Sequence, residues 1–203
     1  CCIRILYSIE YNSIIIVYFI ILCSHLVCWR RPYWKKMVEL KEVINPRQTV
    51  LITCKSNVEI MGKEIEKENI MPVAWHTPLS YDPPLYGIAL HKNRFSLKLV
   101  RSSGNFIVNF MPYSFRNQVN KLGKVSGEFV EKFEETLLTK DDGETLDCPR
   151  ITEALAYIEC EVLNEVDAGD HVFVIGKVVH VVKVKEGKRL LYKGNSEFTT
   201  TED

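Results

Sequence analysis

Short β-rich apolar runs recur from residue 50 to residue 192, and the segments between them are too short and irregular to be the crossover helices of a parallel sheet. Val50–Cys54, Ile70–Trp75, Leu85–Leu90, Phe106–Met111, Ala156–Val162, His171–Val184 and Leu190–Tyr192 read as strands. Most end at proline, glycine or a polar turn. Gly176 interrupts the longest run and predicts a bend or bulge. Pro83-Pro84 predicts an extended approach to Leu85. The polar stretch Ser56–Asn69 reads as a connection. Helical patterns are brief. One follows Ser96, a candidate cap, and stops at Gly104; a second covers Phe115–Leu122 and stops at Gly123; a third is predicted near Glu128–Leu138. The expected fold is mainly β with short helices, a closed or split antiparallel barrel.

Residues 1–36 differ in character. The chain begins at Cys1, the first methionine is Met37, and between them lies the apolar run Ile14–Cys28 followed by the basic flank Trp29–Lys36. The run falls short of a spanning helix and lacks the charge order of a secretory signal. The expectation is an upstream extension over residues 1–36 and one domain over 37–203, with a membrane tether only if residues 1–36 are native.

Of the 26 basic and 26 acidic residues, residues 1–36 hold five and one, so the remainder is net negative by four, which disfavours nucleic acid as a partner. Cys54, Cys148 and Cys160 show no C-x-x-C spacing and read as reduced thiols, implying a cytoplasmic protein. No phosphate loop, dinucleotide fingerprint, nucleophile elbow or zinc-protease helix occurs, and the histidines lack metal-ligand spacing, so no metal site is expected.

Two segments carry chemistry. His91, Lys92, Asn93, Arg94 and Ser96 crowd the start of the first helix, where backbone N–H groups lack partners and carry partial positive charge. A guanidinium, an ammonium and a hydroxyl there can hold a phosphate. A solvated basic turn explains the same residues equally simply. Trp75-His76-Thr77-Pro78-Leu79-Ser80 leaves an apolar run and turns through a proline, offering backbone and hydroxyl groups to a flat heterocycle, or merely anchoring a loop by its tryptophan.

Taken together, the WHTPLS turn, DPP, HKNR-x-S with its short helix, and GNF-x-VN resemble the flavin reductase-like, FMN-binding split-barrel family, which includes the flavoredoxins. SGEFVEKF (126–133), PRITEALAYIECEV (149–162) and AGDHVFVIGKVV (168–179) are similar to later segments of that family. The resemblance spans about residues 43–200. It implies a Greek-key split β-barrel that forms a homodimer with FMN near the interface. It implies that Ala74, Trp75, His76, Thr77, Pro78, Leu79 and Ser80 line the ring and ribityl chain. Lys92, Asn93, Arg94 and Ser96 would hold the phosphate. Asn109 would lie at or behind the cofactor, Lys132 would reach it from the third helix, and His171 would border a nicotinamide. Serine stands at position 96 where the family often has threonine. The implied activity is NAD(P)H-dependent flavin reduction or flavoredoxin-like electron transfer to an unknown acceptor, with NADH or NADPH as transient reductant. The alternative is an FMN-binding storage or sensory barrel without turnover.

Overall fold

The computed structural model describes residues 42–60 and 62–201. The apolar segment expected within residues 1–36 lies outside the described residues. The strands are β1 (Arg47–Gln48), β2 (Val50–Ile60), β3 (Lys63–Val73), β4 (His76–Tyr81), β5 (Pro84–His91), β6 (Asn105–Phe110), β7 (Lys140–Asp142), β8 (Pro149–Ile151), β9 (Ala156–Ala168), β10 (His171–Lys183), β11 (Leu191–Gly194) and β12 (Glu197–Thr199). The helices are α1 (Phe95–Ser103) and α2 (Arg116–Leu122), the latter preceded by a 3-10 turn at Tyr113–Phe115.

Seven strands form one antiparallel sheet in the order β3-β2-β6-β9-β10-β5-β4. Its two edge strands, β3 and β4, are consecutive in the chain and separated only by Ala74 and Trp75. So short a link brings the end of β3 and the start of β4 together and curls the sheet, while the two strands do not pair with each other, which leaves the barrel split. A small sheet, β1-β11-β12, and the hairpin β7-β8 complete the fold.

Alternation explains why β2 is apolar in its first half except at the buried Thr53. Val50, Ile52 and Cys54 enter one buried cluster with Phe106, Val108 and Val174, whereas Leu51 enters another with Met111, Leu122 and Leu190. Covered on both faces, the strand carries one polar side chain there, Thr53, whose hydroxyl accepts from the Asn109 amide. Helix α1 adds Phe95, Leu97 and Val100 to the first cluster. Burial of a side chain such as Leu97 contributes about 1.5–3 kcal/mol. It ends at Gly104, whose φ of 71° allows its N–H to reach the Val100 carbonyl at 2.8 Å.

Gly176 sits at a register shift in β10, as expected of the interrupted run. A Cβ there would lie 2.7 Å from Phe106 Cζ and 2.8 Å from Cys160 Cβ, so the bulge is also where the core admits no side chain.

Four expectations are corrected. The Ser56–Asn69 stretch is not a loose connection but the outer half of the β2–β3 hairpin, paired from Ser56↔Lys67 to Ile60↔Lys63. The outer half of β3 is exposed, so no apolar alternation marked it as strand. His76–Ser80 is not a turn but most of β4. Its Pro78 is tolerated because β4 is an edge strand with a register shift between Pro78 and Ser80. The third helix is absent. Between 128 and 138 the Glu131 carbonyl accepts from the N–H groups of Glu134 and Glu135, and no regular helix forms because Lys132 is drawn inward to the carbonyls of Ile70 and Leu122. Ser96 does not cap α1; Arg94 occupies the cap position and Ser96 is buried in the first turn.

Candidate active site

The residues expected at the site fall into two groups joined by a ring cluster. The first is the break between β3 and β4. Trp75 accepts a hydrogen bond through its carbonyl from the Ala89 N–H at 2.8 Å. The N–H groups of Ala74 and Trp75 donate to no acceptor among the described residues. His76 does not face outward. Its Nε2 donates to the Gln48 carbonyl at 2.9 Å, and because a carbonyl only accepts, Nδ1 is the acceptor for the Tyr86 hydroxyl at 2.6 Å. Burial lowers the His76 pKa; the Gln48 carbonyl opposes that and Arg47 adds to it, so the ring is neutral and its tautomer fixed. Burial likewise drives the Tyr86 hydroxyl well above its ordinary range. Thr77, Pro78 and Leu79 are exposed along β4, and Ser80 is half-buried. Thr77 Oγ1 donates to the Pro78 carbonyl.

The second group is the turn from His91 into α1. The Asn93 N–H donates to His91 Nδ1 at 3.1 Å and the Arg94 N–H to the His91 carbonyl at 2.9 Å. The Arg94 side chain forms no ion pair among the described residues. Lys92 is engaged: its Nζ lies 2.7 and 2.8 Å from the Asp167 carboxylate oxygens. That pair is exposed and contributes little to stability, so the ammonium stays available to a stronger anion. Beneath the turn, Ser96 Oγ accepts from Asn69 Nδ2 at 2.7 Å, and Asn69 Oδ1 is buried with no partner. Gly127 is packed against that amide; a Cβ there would lie 2.0 Å from Asn69 Oδ1.

Lys132 belongs to this second group, from a turn rather than a helix. Only 4% exposed, it donates to the carbonyls of Ile70 (2.8 Å) and Leu122 (3.1 Å). Burial first, then repulsion from Arg94, lowers its pKa to about 8, with Cys54 acting in the opposite direction. Arg94 is thus close enough to repel the Lys132 ammonium, and the neighbouring Cys54 thiol, itself pushed up to about 12 by burial, stays neutral beside them.

The rings of Trp75, His171 and His91 link the groups. Trp75 and His171 lie 4.8 Å apart between centroids, and His171 and His91 5.2 Å apart edge to face. His171 Nδ1 is 2.6 Å from Asp170 Oδ1, and that bond holds the Asp170 carboxyl below the usual range. Asn109 stands apart. It is fully buried; its Nδ2 donates to the Leu51 carbonyl and Thr53 Oγ1, both at 3.1 Å, and its Oδ1 accepts from the Ile151 N–H at 2.9 Å. These bonds tie β6 to β2 and β8 and occupy both donors.

Sequence reasoning missed Arg47, whose Nε donates to the Ala74 carbonyl at 3.0 Å across 27 residues, and the Asn69–Gly127 contact. Neither has a local spacing signature.

Residues 44–201 match the family model described as a flavin reductase like domain. An uncharacterised protein of Archaeoglobus fulgidus is 33% identical over 156 residues, 75% of this chain and 83% of its own length. A probable flavin reductase of Rhizobium meliloti is 30% identical over 107 residues, 50% of this chain and 31% of its own. Among solved structures, an FMN-binding protein from Thermus thermophilus with bound p-hydroxybenzaldehyde superposes with a TM-score of 0.68 at 28% identity, covering 78% of this chain and 88% of that one. A split barrel of this strand order, with a cationic turn beside a strand break, and a family match across nearly all the described residues lead to one conclusion: the chain belongs to the flavin reductase-like family.

Proposed function

We propose that this protein binds FMN, with the phosphate at the start of α1 and the ring along Ala74–Ser80, and that it passes electrons from NADH or NADPH to an acceptor still to be identified. The observation that carries this reading is Arg94. An arginine at the cap position of a nine-residue helix, unpaired with any acid among the described residues and facing a second cation at Lys132, is the arrangement a phosphate dianion would stabilise. The residues fit such a ligand on a further count: the N–H groups of Ala74 and Trp75 at the break are donors with no protein acceptor to serve.

When bound, flavin supplies the redox chemistry, taking up two electrons and one proton from a reduced nicotinamide and gaining negative charge on the pyrimidine side of its ring. The chain's residues bind and orient. Arg94, Lys92, Asn93 and Ser96 hold the anionic end, with Lys132 adding charge from below. The free N–H groups of Ala74 and Trp75 serve the ring. His76, with both nitrogens engaged, holds the break rather than the ligand. Asn109 acts behind the site by tying β6 in place. His171, oriented by Asp170 and tilted against the Trp75 ring, borders the nicotinamide. No residue is required as a general acid or base for hydride transfer.

The functional unit in this proposal is residues 37–203 acting in the cytoplasm as a homodimer. The apolar side chains Trp75, Leu79, Tyr81, Leu163 and Val166 are exposed on β4, β9 and the break, a surface that a second copy would cover. No helix among the described residues is long and apolar enough to cross a membrane.

The test is direct. Purified protein is titrated with FMN, then mixed anaerobically with NADH or NADPH in a stopped-flow cell. Saturable binding followed by bleaching of the flavin band is expected. Binding without bleaching identifies a storage or sensory barrel instead, and no binding removes the proposal.

A further inference from the structure

We infer that Arg47 is a positioning residue for redox tuning: its fixed charge at the Ala74–Trp75 break favours reduced over oxidised flavin. This rests on the flavin reading above and goes one step beyond it.

Arg47 lies on β1, which pairs with β11 in the small sheet and not with the barrel. Its side chain nevertheless crosses to the barrel, where Nε donates to the Ala74 carbonyl at 3.0 Å. The next residue, Gln48, holds the other side of the break by accepting from His76 Nε2 at 2.9 Å. Two successive residues of β1 therefore grip the two sides of Trp75. That grip fixes the guanidinium, whose terminal nitrogens form no ion pair among the described residues. Its field is already felt across the break, since it helps to keep the His76 imidazole neutral.

The break thus combines undonated N–H groups, a neutral histidine with both nitrogens committed, and one immobilised cation. Neither Ala74, Trp75, His76 nor Arg47 is paired with a carboxylate among the described residues. Such a surface discriminates by charge. A neutral ring gains only hydrogen bonds there, whereas a ring that has become anionic also gains the attraction of a cation that needs no reorganisation. The lever is the charge, since a hydrogen bond alone would serve both oxidation states nearly alike.

The experiment compares FMN-loaded wild type, Arg47→Gln and Arg47→Lys by spectroelectrochemical titration. In Arg47→Gln the preference for reduced over oxidised FMN should fall about tenfold, a midpoint about 30 mV more negative for a two-electron couple. Arg47→Lys, which keeps the charge, should stay within about threefold of wild type, or about 15 mV by the same conversion. In flavin-free protein, NMR titration of His76 should move to higher pH in Arg47→Gln, a readout independent of flavin. An unchanged midpoint in Arg47→Gln overturns the inference. So does an equal fall in both variants, which would assign the effect to the Ala74 bond, or a His76 titration that does not move. A wild-type protein that takes up no FMN refutes the flavin reading itself.

Discussion

Glu159 offers a sharp test of how the strand scaffold is held. It is fully buried on β9, yet it is a carboxylate. Oε1 accepts from the Glu144 N–H at 2.6 Å. Oε2 accepts from the Thr145 and Leu146 N–H groups at 3.0 and 2.9 Å and from Thr145 Oγ1 at 2.7 Å. Burial works to raise its pKa, but the Thr145 hydroxyl and the three N–H groups outweigh it, so the pKa is lowered from 4.5. In Glu159→Gln the amide oxygen can keep the Oε2 partners, but as neutral bonds, and the amide nitrogen then faces the Glu144 N–H. A buried donor without an acceptor costs about 1–3 kcal/mol, and losing charge assistance on the others adds about 1 kcal/mol or more. The expected loss is about 3 kcal/mol, a fall in Tm of about 6–12 °C for a domain of this size. Because the folded pKa is depressed, this stabilisation is complete above pH 4.5 and fades as pH falls through the folded value. Thermal melts followed by circular dichroism should therefore show a wide gap between wild type and variant at pH 7 that narrows in acid. A gap under about 1 kcal/mol at pH 7, or one that does not change with pH, would refute the argument.

Three further outcomes follow from the site. Lys132 has a pKa lowered to about 8, so the flavin-free site loses a charge as pH rises past that value; FMN affinity should weaken there, and the pH dependence should vanish in Lys132→Met when followed by fluorescence titration. Gly127→Ala should displace the Asn69 amide from Ser96 and cost about 1–3 kcal/mol in melts. Removing the obstruction in an Asn69→Ala, Gly127→Ala double variant should cost less than the sum of the single changes. Covering of the exposed Leu79 and Tyr81 should make the protein sediment as a dimer, and Tyr81→Lys with Leu79→Lys should shift it toward monomer.

Much of the barrel was legible because its strands are buried. Val50–Cys54, Leu85–Leu90 and Phe106–Met111 are apolar, apart from the paired Thr53 and Asn109, where both faces are covered, and Gly176 marked a bulge because the core excludes a side chain there. The outer half of the β2–β3 hairpin was hidden because the outer part of β3 is exposed and β2 offers little there beyond the partly buried Val58, and β4 because its proline resembles a turn unless the strand is known to be an edge. The charged stretch around Glu131 carried helical pattern, but a single inward lysine overrode it. At the site, the WHTPLS and HKNR segments mark two stretches of chain that the fold links through the Trp75, His171 and His91 rings. The sequence could not show that His76 is committed to Tyr86 and Gln48, or that Arg47 reaches Ala74, since these contacts join residues 10 to 28 positions apart. The likeness to FMN-binding relatives pointed to chemistry that spacing alone left open.

The central claim is that Arg94 meets the phosphate of a flavin nucleotide. Fluorescence titration of wild type and Arg94→Ala with FMN, and in parallel with riboflavin, which has the ring without the phosphate, tests it most directly. The account predicts an FMN Kd raised about 10- to 150-fold, the loss of about 1.5–3 kcal/mol expected of a charge-assisted hydrogen bond, with riboflavin affinity unchanged. An unaltered FMN Kd, or an equal loss for both ligands, would contradict it.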